Sequence, residues 1–248
     1  MDGGGVDLEA LRRRVRALEG IPGEASRSLP LSPDLAPQLP DGRLPLGCVH
    51  EISSSPDGSD PFGGAATGFA SLLASRIGGP VLWLRRGGRR GDAEPYAPGL
   101  AVWGLGPSRL VVVRAGSDKD LLWALEESLR CHGVGAVVAE PARMDITAGR
   151  RLQLAAEAGG ATALLVRPAD AKGVAGSAVT RWRVSPAPGA VEDREPGVGA
   201  ARWCLELLRC RGGSPGAWLA RWTGGGLAAS PLRNAPASDS DAGERASA

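Results

Sequence analysis

A glycine-rich segment around residue 60 has the layout of a phosphate-binding loop. A short strand-like stretch ends near Ser53, a loop of Ser, Pro, Asp and Gly follows, and an Ala- and Leu-rich segment with helical spacing begins at Gly64. In such a loop, backbone N–H groups and the N-terminus of the following helix bind the phosphates of a nucleotide. The spacing therefore predicts a strand, a glycine-rich loop and a helix, and the rest of the chain is organised around them.

The residues that give this loop its chemistry are missing. The motif G-x-x-x-x-G-K-[ST] supplies a lysine to the terminal phosphates and a hydroxyl to Mg²⁺. Counted from Gly58, those positions hold Gly64 and Ala65; if the register is shifted so that Thr67 is the hydroxyl, the lysine position holds Ala66. A helix N-terminus alone contributes only about 0.3–1 kcal/mol per charge at an exposed site. We therefore predict no cofactor, no metal and no catalytic residue. The predicted degenerate phosphate loop comprises Gly63, Gly64, Ala65, Ala66 and Thr67.

The composition describes a near-neutral chain with few metal-binding groups. Its 248 residues carry a formal net charge of +2, so no strong field attracts the chain to nucleic acid or anionic lipid. Lys119 and Lys172 are the two lysines among 29 basic residues, and this excess of arginine indicates coding bias as much as function. Four cysteines without C-x-x-C spacing and two histidines argue against a zinc site. Because no stretch resembles a signal peptide or a membrane span, we expect a cytoplasmic protein without membrane contact.

Strands and helices alternate along the middle of the chain. The strand-length runs are continuously apolar, which is typical of parallel strands buried on both faces. Segments of helical spacing separate them, and Thr147 is the predicted N-cap of one of these helices. The expected parallel strands cover residues 48–53, 81–85, 109–115, 134–140 and 161–167. The predicted fold class is α/β, with a mostly parallel sheet flanked by helices and antiparallel strands at its C-terminal end.

Three segments lie outside this predicted core, which covers residues 46–223. Residues 1–20 have the apolar spacing of a short amphipathic helix, which is too short to be stable alone and which we expect to dock on another chain. Residues 21–45 contain six prolines and predict a linker without regular structure. Residues 224–248 are rich in Gly, Ala, Ser, Asp and Pro and predict a disordered tail.

The C-terminal part of the core combines tryptophans with arginines. Residues 178–184 alternate as a strand, and two further runs around a glycine-rich turn at residues 212–216 predict a hairpin. Aromatic rings beside arginines can stack bases, but strand tryptophans more commonly fill a core, and we assign most of these rings to the core. Alternation along the strands places several arginines on one face. The candidate contacts for a partner or DNA are Arg202, Arg209, Arg211 and Arg221.

Several longer blocks are more specific than the loop pattern. They read LGCVHEI, GGAATGFASLLASRI, PVLWLRR, YAPGLAVWGLGPSRLVVVRA, DLLWALEESLR, GAVVAE, TAGRRLQLAAEA and TRWRV. Together they resemble the ImuA family, RecA-like bacterial proteins that are encoded in damage-inducible mutagenesis cassettes and are related to SulA-type proteins. The resemblance covers roughly residues 44–223, and its most distinctive blocks lie at residues 64–69, 96–105 and 150–154.

The resemblance implies a RecA-like core and a function that does not involve catalysis. That role is a non-catalytic accessory protein in SOS-induced, error-prone translesion DNA synthesis, acting through contacts within the mutasome. The implied partners are an ImuB-type Y-family polymerase relative and an error-prone replicative-type DNA polymerase, with RecA or DNA as a further contact. No catalytic residue carries over, in agreement with Ala66 at the lysine position.

Two other functions remain open at this point. A SulA-like cell-division inhibitor that binds FtsZ would share the core, but those proteins are shorter and have a less developed C-terminal hairpin. A degenerate ATPase would have to use Thr67 and Glu140, with Arg76 or the arginines of residues 85–90 in place of the lysine. A guanidinium is a planar fork and the loop normally encloses a compact point charge, which argues against the ATPase.

Overall fold

A computed structural model describes most of the predicted core and part of each flanking segment. The described residues are 27–60, 63–87, 95–141, 143–168, 178–189, 200–224 and 226–232. The predicted N-terminal helix and residues 233–248 of the predicted tail lie outside this set. Among the described residues, no helix is long and apolar enough to cross a membrane.

The described secondary structure consists of eleven strands and four α-helices, with three short 3-10 turns between them. The strands are β1 (Ser28–Leu29), β2 (Leu44–Pro45), β3 (Val49–Ser54), β4 (Val81–Arg86), β5 (Leu110–Ala115), β6 (Ala136–Ala139), β7 (Thr162–Arg167), β8 (Thr180–Ala187), β9 (Arg202–Cys210), β10 (Gly216–Trp222) and β11 (Leu227–Pro231). The helices are α1 (Gly64–Arg76), α2 (Ala97–Val102), α3 (Asp118–Arg130) and α4 (Ile146–Gly159).

Nine of these strands form one mixed sheet in the order β11-β10-β9-β8-β3-β7-β6-β4-β5. Of its eight described strand pairings, the five from β8 to β5 are parallel and the three from β8 to β11 are antiparallel. The predicted α/β class, the mostly parallel sheet and the antiparallel C-terminal strands are therefore confirmed. The parallel part contains a sixth strand beyond the five expected, because β8 lies parallel to β3 before the chain reverses into β9.

Helices cover the two faces of the sheet unequally. On one face, α1 packs over a cluster of large side chains that includes Trp182, Trp203 and Trp218. On the other face, α3 and α4 pack against each other and over β3, β4, β6 and β7. The expectation that most of the tryptophans belong to the core is confirmed by their burial. Among the described helices, α3 and α4 make their main contacts with the strands from β3 to β5, and α1 covers the other face of β8.

The prediction of a linker without regular structure is wrong for residues 27–45. Its prolines prevent long elements but begin two 3-10 turns, where a missing N–H costs nothing. Leucines inserted between the prolines enter the main core: Leu29, Leu31, Leu35, Leu39 and Leu44 are all buried. The indole Nε1 of Trp218 donates to the Asp34 carbonyl oxygen at 3.0 Å, which ties this segment to β10.

Two smaller expectations also differ from the structure. Residues 227–231 of the predicted disordered tail form β11, because pairing with β10 satisfies their backbone and buries Leu227 and Ala229. The N-cap of α4 is Asp145 and not Thr147: the Asp145 Oδ1 accepts from the Ala148 N–H at 2.7 Å. A carboxylate at this position also interacts favourably with the helix dipole.

A buried polar chain connects this N-terminal segment to the sheet through His50 on β3. The Trp182 Nε1 donates to the Thr180 Oγ1 at 2.8 Å, and the Thr180 hydroxyl lies 2.7 Å from the His50 Nδ1. The His50 Nε2 lies 2.9 Å from the Pro45 carbonyl oxygen, to which it donates. Every group finds a partner only when the imidazole is neutral, with its proton on Nε2. Burial accordingly lowers the pKa of His50 from 6.5 to about 4.

We predict that Leu35→Ala lowers the free energy of unfolding by about 2–5 kcal/mol, because Leu35 is fully buried in the main core and its loss leaves a cavity. Chemical denaturation measures this change. Leu154→Ala on the exposed face of α4 is the matched control, with an expected change within about 0.5 kcal/mol. Equal effects of the two substitutions would show that residues 27–45 do not belong to the core.

We also predict that part of the acid sensitivity of this protein comes from His50. Its folded-state pKa lies below its unfolded value, so the stability contributed by the neutral ring is complete above pH 6.5 and lost as the pH falls towards 4. The difference corresponds to about 3 kcal/mol. Denaturation between pH 7.5 and 4 should show a smaller pH dependence in His50→Gln than in the unmodified protein. His132→Gln, which removes the exposed second histidine, should keep the full dependence; identical profiles for all three proteins would contradict the assignment.

Candidate functional site

The N-terminus of α1, where a phosphate would bind, is capped by the chain itself. Asp60 in the preceding loop accepts from the backbone N–H of Gly64 at 2.7 Å through Oδ1 and from that of Ala65 at 2.9 Å through Oδ2. The Ser54 hydroxyl at the end of β3 donates to Oδ2 at 3.0 Å. Gly63 adopts a left-handed backbone conformation with φ of 70°, which turns the chain from the loop into the helix.

This cap uses the groups that a phosphate-binding loop presents to its ligand. The first N–H groups of a helix and its positive end attract anions, and here a carboxylate already satisfies two of those donors. A nucleotide triphosphate would have to displace Asp60 or approach its negative charge. The loop therefore serves a structural purpose in this conformation, as an N-cap that joins β3 to α1.

Ala66, at the lysine position of the shifted register, points into the protein. Its side chain is fully buried in the main core beside Phe69 and Ala70. Thr67 lies one turn into α1, where its N–H donates to the Gly63 carbonyl oxygen at 2.9 Å and its carbonyl accepts from the Ser71 hydroxyl. A lysine substituted for Ala66 would be placed in the core, so Ala66→Lys cannot restore the motif.

The groups that a degenerate ATPase would require are separated in the structure. Arg76 lies in the last turn of α1, about 18 Å along the helix axis from Gly64 at 1.5 Å per residue. Arg85 lies on β4, which is separated from β3 by β7 and β6 and hence by about 14 Å of sheet. Glu140 follows β6, and its Oε1 accepts from the Trp83 indole at 2.7 Å. Neither arginine can take the place of the missing lysine from these positions; Arg89 and Arg90 lie outside the described residues.

The described residues offer little chemistry elsewhere. They contain no cluster of three His, Cys, Asp or Glu side chains that could hold a metal ion. Burial raises the pKa of the Cys48 thiol, and burial raises the pKa of Cys210 to about 11, so neither sulfur is a ready nucleophile at neutral pH. Cys131 is exposed, and all four cysteines are free thiols.

The C-terminal strands separate their aromatic rings from their arginines. Phe69 of α1 lies 5.4 Å from Trp182 and 6.2 Å from Trp203 between ring centroids, and Trp182 lies 6.4 Å from Trp218. These rings all face the α1 side of the sheet and are buried. Base stacking by these three tryptophans is therefore excluded in this conformation.

The opposite face of β8, β9 and β10 carries a group of arginines. Strand alternation puts Arg202 on the face opposite Trp203, and the register pairs it directly with Arg221 of β10. Arg181 of β8 pairs in the same way with Arg209 of β9, across a β-bulge that restores the alternation. We call the five arginines on this face the arginine face. Its members are Arg181, Arg183, Arg202, Arg209 and Arg221.

Two glutamates pair with members of the arginine face. The Arg181 Nε lies 2.9 Å from the Oε2 of Glu51, a buried residue of β3. The Arg183 Nη1 lies 3.3 Å from the Oε2 of Glu206, its cross-strand neighbour on β9. Arg202 donates to the Pro188 carbonyl oxygen at 3.1 Å, while Arg209 and Arg221 are exposed.

The structure brings three of the four predicted contact residues together. Arg202, Arg209 and Arg221 share the arginine face. Arg211 lies one residue beyond β9, is half-buried, and donates its backbone N–H to the Val179 carbonyl oxygen at 2.9 Å. Arg181 and Arg183 are not among the contact residues predicted from the sequence. Their alternation in TRWRV already indicated that they share one face, but the adjacent strand was unknown.

Comparison with known proteins agrees with the resemblance. No family model matches the chain. The chain is 39% identical over 208 residues to Protein ImuA of Caulobacter vibrioides strain NA1000 / CB15N, an alignment that covers 79% of this chain and 83% of that protein. Protein ImuA of Caulobacter vibrioides strain ATCC 19089 / CIP 103742 / CB 15 matches with the same identity and coverage. Identity at this level over most of both chains shows that this protein belongs to the ImuA family.

Proposed function

We propose that this protein is a non-catalytic accessory factor in SOS-induced, error-prone translesion DNA synthesis. It acts by contacting other proteins of the mutasome: an ImuB-type Y-family polymerase relative and an error-prone replicative-type DNA polymerase. Membership of the ImuA family supports the pathway. The observation that carries the non-catalytic mechanism is the Asp60 carboxylate on the N-terminus of α1.

The energetics of the loop support a scaffold over an ATPase. A working loop balances the phosphate charge with a lysine and a metal ion, and here Asp60 adds a charge of the same sign as the phosphates. Hydrogen bonds to a carboxylate are worth about 1.5–3 kcal/mol, and a nucleotide would have to break two of them to reach the same donors. Both effects weaken binding, and neither depends on a residue outside the described part of the chain.

The likeness to the Caulobacter proteins also bears on the cell-division alternative. The alignment extends over 83% of the relative's length, and the predicted SulA-like competitor would lack the developed C-terminal strands that β9, β10 and β11 form here. These strands bury Trp203 and Trp218 in the main core and are thus integral to this fold. We therefore propose the mutasome role over FtsZ binding.

We predict that the purified protein does not hydrolyse ATP and binds Mg-ATP no more tightly than the millimolar range, because Asp60 occupies the phosphate position. Isothermal titration and a phosphate-release assay measure both properties. Asp60→Asn removes the charge and should increase affinity if the carboxylate is a barrier. Asp57→Asn is the matched control, because the Asp57 Oδ1 accepts from the Ser59 N–H within the same loop. Micromolar binding by the unmodified protein would contradict the proposal.

We predict that damage-induced mutagenesis requires this protein but not the groups of the hypothetical ATPase. Deletion of its gene should lower the frequency of mutations induced by ultraviolet light, and the unmodified gene should restore it. The double variant Thr67→Val, Glu140→Gln removes a hydroxyl and a charge while an amide oxygen still accepts from Trp83, so it should restore mutagenesis fully. Loss of mutagenesis in a variant that folds and accumulates normally would support catalysis instead.

A further inference from the structure

The arginine face contains two pairs of like charges that destabilise the folded sheet. Arg202 lies directly opposite Arg221, and Arg181 lies directly opposite Arg209, in adjacent strands. Directly opposed strand residues have Cβ atoms about 4.5–5.5 Å apart, and like charges in these positions destabilise a sheet. The carboxylates that pair with this face, Glu51 and Glu206, already contact Arg181 and Arg183. Among the described residues, the five guanidinium groups of the arginine face therefore contact two carboxylates, which leaves this part of the surface net positive.

This excess of positive charge is concentrated at two places. Arg181 and Arg209 form one pair, and Arg202 and Arg221 form the other, seven residues along β9 from Arg209 to Arg202. At about 3.3 Å per residue the two pairs are roughly 20 Å apart. An anion that satisfies both pairs must be extended or carry charge at both ends, so a single small anion does not match the spacing.

The surface between the two arginine pairs combines apolar side chains with one ion pair. Cys204, Leu208 and Leu219 are half-buried there, and Ala217 lies opposite Glu206, which pairs with Arg183. Arginines that flank apolar side chains, without lysine, are typical of protein–protein interfaces. Nucleic acid fits less well, because the tryptophans of these strands lie on the other face and cannot stack bases.

We propose that the arginine face binds an acidic segment of a partner protein, with carboxylates at both ends and apolar side chains between them. This inference rests on the proposed accessory function, since it assigns the surface through which the partner is held. The carboxylates of the segment neutralise the two arginine pairs, and its apolar centre covers Leu208 and Leu219. The partner thereby removes the like-charge repulsion that the free sheet tolerates.

The probe is a synthetic fluorescent peptide of about fourteen residues, with three Asp or Glu at each end and Leu and Ala between, long enough as a helix to span roughly 20 Å. Fluorescence anisotropy with the full chain should show binding that weakens as salt is added. The double variant Arg209→Glu, Arg221→Glu should lose at least tenfold in affinity. Arg143→Glu, Arg150→Glu is the matched control, because it reverses two exposed arginines elsewhere on the surface and should bind normally.

Two further readouts distinguish docking from a general charge effect. A peptide with Lys in place of its terminal acids should not bind the unmodified protein, since its charge has the same sign as the arginine face. The Arg209→Glu, Arg221→Glu variant should melt at an equal or higher temperature, because each new glutamate lies opposite an arginine. A marked fall in its melting temperature would show that these arginines stabilise the fold, and would overturn the proposal.

The remaining outcomes are equally decisive. Failure of the acidic peptide to bind, or equal binding by the reversed and control variants, overturns the proposal. Binding of a dT oligonucleotide that increases with its length, without peptide binding, assigns the face to nucleic acid. Full mutagenesis in cells carrying Arg209→Glu, Arg221→Glu, with a defect in the deletion strain, would reject the face but keep the proposed function. A deletion strain without a defect would reject the function itself.

Discussion

The packing of α1 against the tryptophans of β8, β9 and β10 is the contact on which the rest of the structure depends. Nine of the 13 residues of α1 are buried, so this helix is apolar nearly all round and must be enclosed. Phe69 meets Trp182 and Trp203 edge to face, and aromatic contacts of this kind combine a large buried area with a preferred geometry. The C-terminal antiparallel strands therefore complete the core and are not an appendage to it.

This enclosure determines both halves of the candidate site. Because the tryptophans fill one face of the C-terminal strands, strand alternation sends their arginines to the other face. The same buried helix needs its N-terminal N–H groups satisfied, and Asp60 provides the acceptors from the loop before it. A segment with the layout of a nucleotide site thus serves as a capped connection between β3 and α1, while the arginines lie on the face of the C-terminal strands opposite the tryptophans.

The flanking segments show where composition misleads. Proline-rich residues 27–45 were expected to be a linker, yet leucines between the prolines fill the edge of the core, and His50 donates to Pro45 at the end of this segment. Residues 227–231 were expected to be disordered, but they form a strand because they pair with the edge of β10. The composition of a segment predicts its structure in isolation. Both segments are ordered because they pack against a surface that the rest of the chain provides.

The sequence by itself determined the α/β class, the mostly parallel sheet, the absence of the phosphate-loop lysine and the family. Each of these follows from local spacing or from contiguous blocks such as GGAATGFASLLASRI. Alternation alone would put Arg202 and Arg209, seven residues apart, on opposite faces of β9, and the β-bulge between β8 and β9 places them on the same face. Only the tertiary structure decided that Arg202 meets Arg221 and that Arg181 meets Arg209, because strand register is set by long-range packing. It likewise decided that Asp60 fills the anion site of α1, since a loop carboxylate reaches a helix end only when the backbone turns at Gly63.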